Sequence, residues 1–480
     1  MTIQFAPDLD PTTPNIFMDV QNAVPTVKGY RGAPTGINTS YAALATDVRS
    51  IVNARLLDNS RRLFVGLQTK IWEGSGGTWT DRSGSAYDIG TETRWSFGQF
   101  GNTTLAIAKA VNLQASASGA FATVAGAPKA THLATSQGFV MLADTNEGTY
   151  GDQSDRWWCS AQYDHTSWTP SVTTQATTGR LVDTPGPITA MVAFGGGFVA
   201  FKENSMYVGT YTGAPAVFSW QLIPGEVGCR SKDAIVSVGS AIYFLGNDNF
   251  YGFDGSRPVA IGNPLREWFF FSESSPAYRY KTVSTYDRPN QLAIWFYVSN
   301  SGAGVLNKAL CFHVPTQRWG AMTVSIEAPA IYLSDAVTYD GLGSLYSTYD
   351  SLPTNISYDS PFWNAESQVV AIANTSHTLQ TLSGSSATSI ITTGSIGDPE
   401  QRTLVRRIRP RFSISPTSAT LQHQFDLDYG DDWTNGPTSN LTNGSFDVLS
   451  DARWHREIMT INGPWEMIDY KVMLQPTGAI

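Results

Sequence analysis

The sequence predicts an all-β protein: a β-propeller of six or seven blades with an appended C-terminal β-sandwich or platform domain. Three observations predict it. A meander-like unit is written twice in the middle of the chain, tryptophans recur at the ends of other such units, and the repeats fade after about residue 350.

The duplicated unit reads VAFGGGFVAFKENSMYVGTY at 192–211 and VSVGSAIYFLGNDNFYGFDG at 236–255. Each opens with a short apolar run, breaks at glycine (Gly195 to Gly197; Gly239), resumes as an aromatic strand, turns through small polar residues and ends in a second aromatic strand. The offset of 44 residues lies in the range of propeller-blade periods. One such meander cannot bury its apolar faces alone, and stacking units around an axis buries them.

The other units follow in order. Residues 1–45 are rich in Pro, Asn and Thr and read as an extended N-terminal arm; 46–350 read as the propeller and 351–480 as the C-terminal β-rich platform. Residues 41–56 read as a helical or mixed segment. Strands begin at RLFVGLQTKIW (62–72) and GTWTDR (77–82), then WSFGQFGNTTLAIAKAVNL (95–113), a short strand at 121–125, and LATSQGFVMLAD (133–144). The largest loop insertion is expected at 146–163. After the duplicated pair come TVSTYDRPNQLAIWFY (282–297), LCFHVPTQRWGAM (310–322) and a last partial unit at 331–346. Trp79, Trp168, Trp220 and Trp319 sit near unit ends in similar settings, which favours packing between sheets over a ligand platform. Ser/Thr-rich strands at 376–394, RTLVRRIRPRFSI (402–414), LQHQFDLDYGDDW (421–433) and a closing pair around 453–474 supply the second domain.

Composition bounds the function. Charged residues are 15% of the chain, against about a quarter in average domains, as suits a surface buried against partner chains. The net charge of −9 argues against binding nucleic acid by counterion release over the whole surface. Cys159, Cys229 and Cys311 are too scattered for a zinc motif and read as buried free thiols of a reducing compartment. The first 17 residues lack the basic and apolar regions of a signal peptide, and no apolar run approaches a membrane span, so no stable membrane insertion is expected.

Chemistry is sparse. The sequence contains no GxSxG elbow, no HExxH and no phosphate-binding glycine loop, and it predicts no catalytic, cofactor or metal residues and no enzyme activity. DLDYGDDW at 426–433 approaches the aspartate-box turn, with Asp428, Gly430 and Trp433 at its spacing and Asp426 in place of the leading hydroxyl residue. It reads first as a stabilised turn; calcium binding and ligand contact are the alternatives. The densest basic run holds Arg402, Arg406, Arg407, Arg409 and Arg411. On a strand, Arg407, Arg409 and Arg411 share one face. Such a stripe meets phosphate, solvent or an acidic partner surface; on an acidic chain of low charge density a subunit or partner interface is favoured.

The order of motifs resembles the tail-hub or nozzle proteins of short-tailed bacteriophages, the packaged-DNA stabilisation proteins. The matching stretches are VPTVKGYRGAPTG (24–36), GTWTD (77–81), WSFGQFGN (95–102), DHTSWTP (164–170), FLGNDNFYGFDG (244–255), IGNPLREWFF (261–270), YDSPFW (358–363) and ARWHR (452–456). The resemblance spans most of the chain and rests on the order of many weak motifs. It implies a propeller subunit of a homohexamer around an axial channel, attached to the head-to-tail adaptor ring below the portal. Further implied partners are needle, fibre or tailspike proteins and duplex DNA that passes without sequence-specific binding. It implies residence in the virion tail after assembly in the host bacterial cytoplasm. An acidic channel wall would let DNA slide without sticking. The competing reading is a carbohydrate-binding or glycan-cleaving propeller in receptor recognition, which the aromatic content of 12% would also suit.

Overall fold

The structure, a computed structural model, describes residues 3–333, 348, 368–428 and 432–479. Most of the last partial unit at 331–346, the expected boundary at 350 and the motif at 358–363 lie outside the described residues.

The chain folds as all-β with a propeller arrangement. Five separate sheets are four-stranded antiparallel meanders taken consecutively along the chain. Sheet I comprises Ser50–Arg55, Arg61–Gly66, Ile71–Ser75 and Thr78–Asp81. Sheet II comprises Ser96–Phe100, Thr103–Ala108, Val111–Ser116 and Ala122–Thr123. Sheet III holds Lys129–Ser136, Phe139–Glu147, Gly151–Cys159 and Thr177–Arg180. Sheet IV holds Ala190–Phe194, Gly197–Phe201, Met206–Gly213 and Val217–Ile223. Sheet V holds Ile235–Val238, Ala241–Leu245, Phe250–Phe253 and Val259–Ala260. The duplicated sequence is thus sheets IV and V, and their first hairpins turn on Gly195, Gly196 and Gly239, all at positive φ. Only glycine adopts that conformation at little cost.

The apolar runs mark the second strand of each unit. LFVG, TLAIA, FVAF and LAIWFY are buried along nearly their whole length, on both faces, because each is sandwiched between neighbouring sheets. Phe64 of sheet I packs with Ala106 and Phe121 beside sheet II. Ile107 of sheet II packs with Val140 of sheet III, and Phe139 of sheet III with Phe198 of sheet IV. Val199 of sheet IV packs with Phe244 of sheet V. A second recurring contact sets glycine against tryptophan across adjacent strands: Gly74 opposite Trp79, Trp157 opposite Gly179, and Gly209 opposite Trp220. The absent side chain leaves room for the indole to lie on the backbone.

A sixth meander, formed by Val283–Asp287, Leu292–Tyr297, Leu306–His313 and the first half of Arg318–Leu333, belongs to a larger twelve-stranded sheet. At an irregularity between Ile326 and Ala328 the long strand changes partners. Its second half pairs with Gln368–Asn374, which pairs with Leu379–Ser386, which pairs in turn with Pro34–Asn38 from the N-terminal region. Val65 and Leu67 of sheet I pack against Ala328 and Ala373 of this group.

The rest of the chain makes two sheets packed face to face. One runs Gln4–Phe5, Ile16–Gln21, Ser389–Thr393, Trp454–Asn462, Ser418–Asp426, Thr434–Asn440. The other is the far part of the large sheet: Tyr30–Gly32, Glu466–Ala479, Gln401–Ile414, Phe446–Ala452. Ile391, Leu421 and Met459 from the first meet Val405, Ile408, Phe446 and Met467 from the second, and the same core continues into Phe250, Trp295 and Trp319 of the propeller region.

Three details differ from the sequence reading or refine it. Residues 41–56 contain no helix. Val52 of Ser50–Arg55 packs at the edge of the core between sheets I and II, and tertiary packing decides the conformation of SIVNAR over its weak local preference. The stretch at 146–163 is largely a long hairpin, with Asn146 opposite Asp152, rather than a loop insertion. The N-terminal segment is woven in as five strands, two of them in the first of the packed sheets and three in the large sheet.

Candidate functional site: a basic sheet face and two charged cavities

Strand Gln401–Ile414 sits between Glu466–Ala479 and Phe446–Ala452, so its position in the sheet fixes which side chains leave the core. Thr403, Val405, Ile408 and Pro410 point inward and are buried; Arg406, Arg407, Arg409 and Arg411 are exposed, and Arg402 is half-buried. A bulge between Val405 and Arg407 brings two consecutive arginines to the outer face. Neighbours on that face are Asp447, Leu449 and Asp451 on one side and Asp469, Lys471 and Met473 on the other. The alternation that places Arg407, Arg409 and Arg411 together is as the sequence predicts.

Two of the arginines are engaged within the chain. Arg407 Nε donates to Asp447 Oδ1 at 2.6 Å, and Arg402 lies 3.8 Å from Asp451 Oδ2. Among the described residues, Arg406, Arg409 and Arg411 have no carboxylate within 4 Å. Leu449 is 77% and Met473 52% exposed in the same patch. Three unpaired guanidinium groups beside exposed apolar side chains suit bidentate recognition of carboxylate on another surface.

The propeller region contains a cavity of about 290 Å³. Its wall takes residues from the first strand of each of the five sheets and from the short segments leading into those of sheets II and V, from Val283–Asp287, and from Ala328 and Pro329. Cationic groups cross it. Lys232 Nζ donates to the Arg94 carbonyl at 2.7 Å and to Ser96 Oγ at 3.0 Å. Arg94 donates to the carbonyls of Arg49 at 3.1 Å and Glu327 at 2.6 Å. His132 contacts the Ile188 carbonyl through Nε2 at 3.0 Å. Removal from water lowers the pKa of Lys232 and Arg94, and burial together with Lys232 brings His132 down to about 3, so this imidazole is neutral. Hydrogen bonds thus strut the centre of the propeller region.

A second cavity of about 390 Å³ lies where the long strand meets the entry to sheet I. Asp47, Glu327 and His377 line it, and one donor atom from each lies within 4.8 Å of the others. Burial raises the pKa of Glu327. Separated by 280 and 50 positions in sequence, these residues carry no spacing signal and become neighbours only through the fold.

Two further polar groups are structural. Asp426 accepts backbone N–H groups from Asp428 at 2.7 Å and Asp432 at 2.9 Å, which makes it a turn stabiliser; Tyr429, Gly430 and Asp431 lie outside the described residues. Inside the two packed sheets, Glu457 Oε1 meets His423 Nδ1 at 2.9 Å, His423 Nε2 meets His455 Nδ1 at 3.3 Å, and His455 Nε2 meets the Thr403 carbonyl at 2.9 Å. Desolvation lowers both histidines to about 4 and raises Glu457. All three side chains are fully buried, so no substrate reaches them. Cys159, Cys229 and Cys311 are free and buried, as expected, and burial pushes the first two thiols up to about 12. Among the described residues no helix is long and apolar enough to cross a membrane.

No protein-family profile matches the chain, and no curated protein matches it. Among solved structures it is similar to PorZ, a surface component of the type IX secretion system of Porphyromonas gingivalis (11% identity, 62% of this chain and 35% of that one, TM-score 0.36). The chain thus spans about a third of that protein's length. It is also similar to the WD40 domain of Neurospora crassa Pan2 (7% identity, 70% and 89%, TM-score 0.37) and to YjhT (10% identity, 59% and 99%, TM-score 0.35). At these scores the likenesses carry no argument about function.

Proposed function

We propose that this chain is a structural subunit of the tail hub or nozzle of a short-tailed bacteriophage, one of six copies in a ring that retains packaged DNA and conducts it during ejection. The observation that carries the reading is the outer face of Gln401–Ile414, where Arg406, Arg409 and Arg411 stand without carboxylate partners beside Leu449 and Met473. Exposed guanidinium groups beside apolar side chains match an acidic, partly apolar surface of a neighbouring copy or of the adaptor ring. The ordered motifs quoted above supply the class of assembly.

The propeller in this reading has seven blades. Sheets I to V are five, the sixth meander is the next, and the last combines residues 326–333 with Gln368–Asn374, Leu379–Ser386 and the N-terminal strand Pro34–Asn38. The cavity wall supports this count, since it takes one contribution from each of the seven. The two packed sheets form the appended platform. Lys232 and Arg94 strut the cavity, so DNA in this reading runs through a channel between subunits, not through the propeller. The acidic balance of −9 favours a wall that does not hold phosphate. The role requires no chemical step, and the virion tail is its place.

Electron microscopy of purified particles, or of this chain co-expressed with portal and adaptor proteins, tests the reading. A six-fold ring on the particle axis below the portal is the expected result. Peripheral density, or absence from particles, overturns it and moves the question to glycan binding and hydrolysis.

A further inference from the structure

We propose that Asp47, Glu327 and His377 bind one divalent transition-metal ion, zinc or manganese, at the seam between sheet I and the strand group that follows the sixth meander. The inference is independent of the proposed function.

The geometry suits an ion. His377 Nδ1 lies 2.7 Å from Glu327 Oε1 and 3.9 Å from Asp47 Oδ1. Zinc bonds to nitrogen and oxygen are about 2.0–2.2 Å, which places neighbouring ligand atoms of a tetrahedral shell roughly 3.4 Å apart. The two separations, 2.7 and 3.9 Å, straddle that value, so shifts of roughly half an ångström or more bring the three atoms into a shell. The adjoining cavity admits water to the remaining positions.

The outer atoms of both carboxylates are already held. Asp47 Oδ2 is 3.4 Å from Arg49 Nη2, while Oδ1 is the oxygen nearest His377. Glu327 Oε2 accepts the Val48 backbone N–H at 2.8 Å, while Oε1 turns toward His377. Supporting contacts of this kind orient metal ligands and are part of a working site.

The charges around the cavity balance: Asp47, Glu92 and Glu327 on one side, Arg49, Arg94 and Lys281 on the other. Lys281 pairs with Glu92 at 2.9 Å, and Arg94, which donates to two backbone carbonyls, also acts electrostatically on Glu327. The ion is therefore held by its ligand bonds and not by surplus negative charge. Without an ion, His377 Nδ1 hydrogen-bonds Glu327 Oε1; a bound ion takes the place of that hydrogen bond, with the ring proton on Nε2. One imidazole with two carboxylates, and no thiolate, selects zinc or manganese over copper(I), and the imidazole disfavours magnesium and calcium.

The test is calorimetric titration of the tag-free, chelator-treated full chain with zinc, manganese and magnesium chlorides, alongside thermal unfolding. The expected result is one equivalent of zinc or manganese bound with a rise in Tm, and no effect of magnesium. His377→Ala and Asp47→Asn should each weaken binding by roughly 100-fold, at or beyond the loss seen when a mere supporting contact is removed. Asp47 is 58% exposed, so its variant folds regardless of the site. Absence of saturable binding at one equivalent in the wild type, or equal affinity in Asp47→Asn, overturns the proposal.

Discussion

Gly209 lies opposite Trp220 in sheet IV, and its replacement by alanine isolates what that pairing contributes. The backbone there suits alanine, and Gly→Ala at a compatible site ordinarily stabilises by about 0.4–1 kcal/mol. Here a Cβ would stand 2.8 Å from two atoms of the Trp220 ring and 3.0 Å from a third. Carbon atoms in good contact are about 3.5–4.0 Å apart, so the indole must move or the strands must part. Overpacking of this size costs about 1–3 kcal/mol, which leaves a net destabilisation of about 1–2 kcal/mol. Gly148, where an added Cβ would meet nothing within 4 Å, is the control: Gly148→Ala should be neutral or slightly stabilising. Urea unfolding of wild type, both variants, Trp220→Ala and the Gly209→Ala/Trp220→Ala pair gives the comparison. Gly209→Ala should lower the midpoint alone but not in the Trp220→Ala background. If Gly209→Ala unfolds at the wild-type midpoint, the indole is not seated on the backbone and the reasoning fails. Gly74→Ala should cost more, because Tyr41 and Leu63 crowd the same point beside Trp79.

Other expectations concern charge. Glu73→Gln breaks a buried cluster in which Glu73 accepts from Arg62 Nε at 2.5 Å and Arg82 Nε at 2.6 Å; a loss of about 3–5 kcal/mol in unfolding free energy is expected. His132 is neutral in the fold, with a pKa near 3, and protonates near 6.5 when unfolded. The unfolded chain therefore binds the extra proton as pH falls below 6.5, and stability drops by about 1.4 kcal/mol per pH unit from this group until its folded pKa is reached. Unfolding curves at pH 7 and pH 5 should converge for His132→Gln relative to wild type by roughly 2 kcal/mol; an unchanged pH slope contradicts the assignment. Arg409→Glu combined with Arg411→Glu should leave unfolding of the isolated chain within about 0.5 kcal/mol of wild type, since both side chains are exposed, yet abolish incorporation into particles. Normal incorporation of that double variant would remove this face from the interface.

The legible parts of the fold were those where local pattern and packing agree. Gly195 and Gly239 punctuate alternating apolar stretches, so sheets IV and V stand out without any structure. Arg407, Arg409 and Arg411 follow strand alternation, and their shared exposure is a direct consequence of it. Less legible was anything that depends on distant pairing. SIVNAR at 50–55 has no strong preference and becomes a strand because Arg61–Gly66 lies beside it. Pro34–Asn38 reads as turn-rich arm, and nothing local says that Leu379–Ser386 will pair with it. The Asp47, Glu327 and His377 trio is the extreme case, since three unremarkable residues meet only after the sheets are in place.

The pairing of Thr381 with Ile37 has a consequence for how the molecule is made. Strands within sheets I to V pair with the next strand in sequence and are able to form as the chain emerges during synthesis. The strand pair that spans some 340 residues waits until nearly four-fifths of the polypeptide has been translated. Contacts of such sequence separation form late because the loop-closure entropy is lost before any contact energy is gained. Until then the nascent chain exposes the edge of Pro34–Asn38, which makes this pairing a slow and aggregation-prone stage of folding.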